Sequence, residues 1–372
     1  MGIETLLNDL GELGHLRYLN LSHSSIKNLP SSLTRLQNLQ TLILLGCSSL
    51  VRLPRNLEKL VNLRHLMIDG CGGLTYMPHG LGKLTSLHTL DNFVVAVDGN
   101  NVSAHIGRLH ELSSLNNLQG DLTIKNLGHA SESKSANLRE KHLRSLKLIF
   151  RDGEEEVDGN IMSKDEKILD ILEPHSDLKV LKVYGFMGVR FGGWLSSLTN
   201  LVELKLVRCK KCQHLPRLDE LPSLKRLVID YAEEVEYMCL GKDTDAKFFP
   251  SLVQLEIRNC PNLKGWWKKG DEINDKDHVI RSFHLLSDLE VVHCPNLTLM
   301  PLFPLIEKVT LEGSSSKPLQ ETIMMMRRNK NIIPSSAEAE EGRDKLLSLL
   351  TDISIANSPD LVSLIEEIGN LS

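Results

Sequence analysis

Residues Asn38–Pro54 read NLQTLILLGCSSLVRLP. On an extended chain, Leu42 and Leu44 point to one face, while Thr41, Ile43 and Leu45 point to the other. Cys47 follows three residues after Leu44, and the Leu53 and Pro54 pair closes the stretch. The same frame occurs upstream as HLRYLNLSHSSIKNLP from His15 and downstream as NLRHLMIDGCGGLTYMP from Asn62. It places Leu16, Leu39 and Leu63 at spacings of 23 and 24 residues. It returns at Leu201, Leu224, Leu252 and Leu286.

A period in the twenties with an LxxLxLxxC core is the mark of a leucine-rich repeat. One repeat cannot bury its own leucines, but stacked neighbours bury each other's in a continuous core. The reading is therefore an α/β leucine-rich-repeat solenoid, a horseshoe of about thirteen units. A parallel β-sheet is expected on its concave face and irregular or short helical connectors on the convex side. Proline at Pro30, Pro54, Pro78, Pro216 and Pro301 removes a backbone donor, which suits connectors better than strands. Helical turns are expected in SSLTRLQNLQ and RNLEKLVNLR.

All segments belong to one solenoid in this reading, with regular repeats over 1–92 and irregular ones over 93–141. Further repeats with loop insertions occupy 142–311, a partly flexible insertion 312–345, and a truncated last repeat 346–372. The acidic runs RDGEEEVDGNIMSKDE from Arg151 and KKGDEINDKDH from Lys268 read as solvated loops. Ile323 to Met326 reads as one helical turn.

Aromatic residues make up only 4% of the chain, so aliphatic side chains must build the core. A net charge of −5 argues against a nucleic-acid partner held by phosphate neutralisation. Basic residues nevertheless cluster early, at Lys27, Arg35, Arg52, Arg55, Lys59 and Arg64, against Glu58 alone. The first residues resemble no secretory signal, and no segment has the apolar length of a membrane span. Gly2 is followed by Leu6 where a myristoylation motif needs Ser or Thr. The cytoplasm, or the nucleus, is the expected compartment, and seven cysteines there are expected to stay reduced.

Cys209 and Cys212 form CxxC near His214, a spacing that invites zinc. Register points elsewhere. Cys47, Cys71, Cys209, Cys260 and Cys294 each fall three residues after the last apolar strand position. They read as a structural ladder at the strand-to-turn corner, with no metal. No phosphate-cradling, nucleophile-elbow or zinc-protease motif occurs, so neither enzyme chemistry nor a cofactor is expected from this chain. Trp194, Trp266 and Trp267 fall in connectors and read as local plugs.

Alternation along the strands lists the outward residues that a partner protein would meet. In the early repeats these include Tyr18, Ile43, Leu45, His65, Met67 and Asp69. In the later ones they include Glu203, Lys205, Arg226, Val228, Asp230, Gln254, Glu256, Arg258, Asp288 and Glu290. Exposed aliphatics beside fixed charge favour a protein interface.

The three opening repeats, together with LNNLQGDLTIKNLGHA, ILEPHSDLKVLKVYGFMGVRFGGWL and LPSLKRLVIDYAEEVEYM, resemble the repeat region of plant coiled-coil nucleotide-binding leucine-rich-repeat immune receptors. That resemblance implies recognition of a pathogen effector or a guarded host protein. It also implies autoinhibition, with the basic first repeats docking on the receptor's nucleotide-binding module. ADP or ATP would belong to that module, which this chain lacks, so a part of a longer receptor is expected. A stand-alone cytosolic scaffold and a ubiquitin-ligase substrate adaptor are the alternatives, although the stretch before Leu16 is too short for an F-box.

Overall fold

The computed structural model describes residues 6, 8–97, 105–130, 134–151, 159–238, 248–267, 282–328 and 349–360. Gly2, the run from Lys268, most of the 312–345 insertion beyond Arg328 and the end of the chain after Asp360 lie outside them. The chain forms two compact units, Met1–Phe186 and Met187–Ser372.

In the first unit, β1 (Tyr18–Asn20), β2 (Thr41–Ile43), β3 (His65–Met67) and β4 (Thr89–Leu90) pair in sequence order, all parallel. A second parallel run joins β5 (Asn92–Val94), β6 (Gln119–Lys125), β7 (His142–Ile149) and β8 (Val180–Tyr184). In the second unit, β9 (Glu203–Val207), β10 (Arg226–Asp230), β11 (Gln254–Arg258), β12 (Asp288–Val292), β13 (Lys308–Glu312) and β14 (Asp352–Ala356) form one parallel ladder. Strand, turn and connector repeat in order, which is the leucine-rich-repeat fold that the spacing predicts.

Register explains the core. Leu204, Leu227, Leu255, Leu289 and Val309 align across β9–β13, as do Leu206, Ile229, Ile257, Val291 and Leu311, and all are buried. Each such side chain contributes roughly 1.5–3 kcal/mol when removed from water. Connectors add a second buried layer from 3-10 turns such as Ser31–Arg35, Leu57–Lys59 and Leu81–Lys83, which bury Leu33, Leu57 and Leu81. Trp266 is fully buried and meets Phe283 edge-on at 5.5 Å, so it is a plug. Trp267 is only half-buried.

The corner after each strand has its own periodicity. His23, Gly46 and Gly70 in the first unit, and Arg208, Tyr231, Asn259, His293 and Gly313 in the second, all take left-handed φ values. This conformation turns the chain away from the sheet and costs non-glycine residues energy. At Gly46 the conformation is also enforced by space, since a Cβ would stand 2.5 Å from the His23 ring. The residue after the corner is small and buried: Ser24, Cys47, Cys71, Cys209, Ala232, Cys260, Cys294 and Ser314.

The irregular stretch expected over 93–141 is preceded by a specific break. β4 pairs back to β3 and β5 pairs forward to β6, so a single run is split at Asp91. Its carboxylate accepts the Ile68 N–H at 2.8 Å and the Asp69 N–H at 3.1 Å, standing in for ladder carbonyls.

One loop reading is corrected and one helical reading is lengthened. The acidic run from Arg151 is not wholly a solvated loop, because Gly159–Asp170 form helix α1. That helix buries Asp165, Ile168 and Leu169, since the apolar pair follows the acid at helical spacing on one face. The Ile323–Met326 run is helical, as read, but longer than one turn. It lies within helix α2 (Lys317–Arg328), which buries Leu319, Thr322 and Ile323 and exposes Met324 and Met325.

Candidate protein-interaction face

Opposite the buried leucines, the second unit presents three outward rows. Glu203, Arg226, Gln254, Asp288 and Lys308 form the first, and Lys205, Val228, Glu256, Glu290 and Thr310 the second. Val207, Asp230, Arg258, Val292 and Glu312 form the third. Parallel pairing thus brings the late outward residues of the sequence reading onto one surface.

Two of those residues are on that face and yet buried, which corrects their expected exposure. Val228 is fully covered between Lys205 and Glu256 in its row, and Glu256 is only 4% exposed. Two guanidiniums roof the Glu256 carboxylate: Arg226 donates to it at 2.6 Å and Arg258 lies at 2.8 Å. Gln254 adds a third donor at 2.9 Å. Arg258 also makes a two-pronged contact with Glu290, whose second hydrogen bond is 2.7 Å long. That contact is the main reason the guanidinium is held even more firmly protonated than usual. Burial, reinforced by the Glu256 and Glu290 charges, pushes the Asp288 carboxyl upward against the pull of Lys308 and Arg226. Long side chains that bind one another lose less freedom when a partner arrives, so this surface is preorganised.

The first unit's outward positions differ in character. Tyr18 is 55% exposed, while Ile43, Leu45 and Met67 are half-buried, less accessible than the alternation implied. They alternate with polar groups: His65 Nδ1 lies 3.0 Å from the Thr89 hydroxyl, and Asp69 accepts from Asn92 at 3.4 Å. Lys27, Arg35, Arg52, Arg55, Lys59 and Arg64 are all exposed, though spread over several sides of the repeats. Arg35 and Lys59 end successive 3-10 turns, whereas Arg64 precedes β3 and Arg52 donates to the Asn28 side chain at 3.2 Å.

The six described cysteines are all buried and free of disulfides. Cys47 donates to the Leu21 carbonyl at 3.1 Å and Cys71 to that of Leu44 at 3.1 Å, each reaching into the preceding repeat. Cys294 does the same to Ile257, and Cys260 turns to its own strand at Arg258. Cys209 is 1% exposed, and Cys212 points to the His214 carbonyl at 3.5 Å.

A second ladder escaped the sequence reading. Asn38, Asn62, Asn117, Asn262 and Asn296 each donate a side-chain N–H at 2.7–2.8 Å to a carbonyl of the preceding repeat. Asn38, Asn62 and Asn117 stand immediately before the leucine that opens a repeat, whereas Asn262 and Asn296 stand before the leucine three residues after Cys260 and Cys294. Among the described residues no helix is long and apolar enough to cross a membrane.

Residues 109–232 match the family model of R13L1/DRL21 leucine-rich repeats. The chain is 38% identical over 320 residues to disease resistance protein RGA2 of Solanum bulbocastanum, covering 76% of this chain and 31% of that protein. Over its leucine-rich repeats this chain is similar to plant disease resistance proteins. Putative disease resistance RPP13-like protein 1 of Arabidopsis thaliana is 39% identical over 306 residues, with 77% of this chain and 28% of that protein covered. The chain thus spans about three tenths of the length of these relatives. Among solved structures, a leucine-rich-repeat protein of Leptospira interrogans aligns with a TM-score of 0.45 at 19% identity, over 87% of this chain and 80% of that one.

Proposed function

We propose that this disease-resistance relative is a recognition and autoinhibition module of plant innate immunity, working by protein contact without chemistry. Its outward strand face would bind a pathogen effector or a guarded host protein. The observation that carries this reading is the preset charge lattice Arg226–Glu256–Arg258–Glu290 on that face. A partner must complement a fixed pattern there, which selects by mismatch as much as by attraction.

The exposed basic residues of the first unit support docking on a nucleotide-binding module, whose ADP or ATP would bias the state that the partner selects. Co-expression with that module tests the docking. Arg52→Glu, Arg55→Glu and Lys59→Glu together should abolish association, and association that survives them rejects it. For recognition, a screen of this chain against secreted pathogen proteins should yield a binder lost on Glu203→Lys with Lys205→Glu. Binders indifferent to that swap place recognition elsewhere.

A further inference from the structure

One cluster of metal-ligating side chains lies outside the face described above. β7 and β8 pair with Ser145 opposite Val180, an offset of 35 residues. Carried back three residues, the same offset sets His142 beside Asp177, just ahead of the paired region. His175, two residues before Asp177, completes a group whose ligand atoms lie within 4.8 Å of one another. Asp177 Oδ2 is 3.4 Å from His175 Nδ1 and 3.8 Å from His142 Nδ1. The two imidazoles are 4.6 Å apart between centroids and tilted by 53°.

These distances suit an ion. Two ligands each about 2.1 Å from a tetrahedral centre stand about 3.4 Å apart, near both edges recorded here. The His175 Nδ1 accepts the Asp177 N–H at 3.1 Å, so this is the unprotonated nitrogen of its ring. The side chains of His142 and Asp177 are 71% and 58% exposed, which gives them room to close onto an ion. Two nitrogens and one carboxylate oxygen favour a first-row transition ion over Ca2+ or Mg2+, which prefer shells of oxygen.

We propose that His142, His175 and Asp177 form a surface site for a divalent transition ion of the Zn2+ class. The ion takes three protein ligands and keeps a coordination position turned to solvent, where water or a side chain of a partner can bind. The loop ahead of β8 is thereby tied to the start of β7. Ion binding displaces the Asp177 N–H from His175 Nδ1, and that exposed amide is taken up by water. Sequence spacing does not single out these three residues, because strand register and not a short motif gathers them.

Titration of the whole chain with ZnCl2, read by calorimetry, tests the site, with Co2+ absorption reporting coordination. One saturable equivalent is expected, lost in His142→Ala with His175→Ala and weakened at least about tenfold in Asp177→Asn. Excess Mg2+ should leave it unchanged. No saturable Zn2+ uptake, or the same uptake in the double variant, overturns the proposal. Should the double variant lose its native circular dichroism, His142→Gln at the exposed position serves in its place. Weakened uptake is expected there, and unaltered uptake also overturns the proposal.

Discussion

Arg151, at the end of β7, donates to the carboxylate of Asp165 in α1 at 2.6 Å, with side-chain exposures of 3% and 0%. The second guanidinium nitrogen reaches the Gly128 carbonyl at 3.4 Å. This pair anchors the helix inserted between β7 and β8 to the repeat core. Removing one partner strands a buried charge, so Asp165→Ala should lower stability by about 3–5 kcal/mol. Replacing both residues with apolar ones of similar volume should cost much less. Denaturant titration of the three proteins at constant m-value makes the comparison.

At the split run, Asp91 supplies two acceptors that the ladder lacks. Burial is the largest influence on its carboxyl and raises its pKa, against the pull of the two N–H donors. Asp91→Ala leaves those amides unpaired in the fold, a loss of about 1–3 kcal/mol. Hydrogen exchange at Ile68 and Asp69 should accelerate, while exchange in β11 stays as it was. Equal acceleration in both places would mean global destabilisation and reject a local role.

The six described cysteines, all buried, should be chemically silent in the native protein. Burial, assisted by the neighbouring Cys47, pushes the Cys71 thiol up to about 11, so little thiolate exists near neutrality. Iodoacetamide at about pH 8 is expected to leave Cys47, Cys71, Cys209, Cys212, Cys260 and Cys294 unmodified until denaturant is added. Peptide mass mapping gives the answer, and rapid native labelling of Cys71 would contradict the buried ladder.

Asp360 ties the end of the described chain back to α2. Burial alone would raise its pKa, but the Ser316 N–H and the hydroxyls of Ser315, Ser358 and Ser316 outweigh it and hold the carboxyl down to about 2. An unfolded Asp titrates near about 3.9. Its folded value is depressed, so the stabilisation is fully present above about pH 4 and is lost as pH falls toward 2. Asp360→Asn should therefore be less stable than the parent at neutrality, with the gap closing across that window. Thermal unfolding at several pH values measures it, and a gap that does not change with pH would rule out this carboxylate as its source.

Local pattern alone determined which residues form the strands and which of their faces is buried. Leu42 and Leu44, or Leu255 and Ile257, lie two apart, and a strand has no other way to hide both. Small residues at the corner were readable for the same reason, because every repeat must turn at the same place. The resemblance to plant immune receptors rested on the order of these segments. Tertiary structure alone decided what depends on neighbours distant in sequence. Glu256 belongs to the outward row by alternation, yet Arg226 and Arg258 cover it from a preceding repeat and from two residues along its own strand. Asp165 belongs to an acidic run by composition, yet a helix turns it onto Arg151. His142 meets His175 and Asp177 only because β7 and β8 pair at one particular offset. Solvent exposure and long-range partnership are properties of stacking, and variable connectors between repeats leave their register unreadable until the strands are paired.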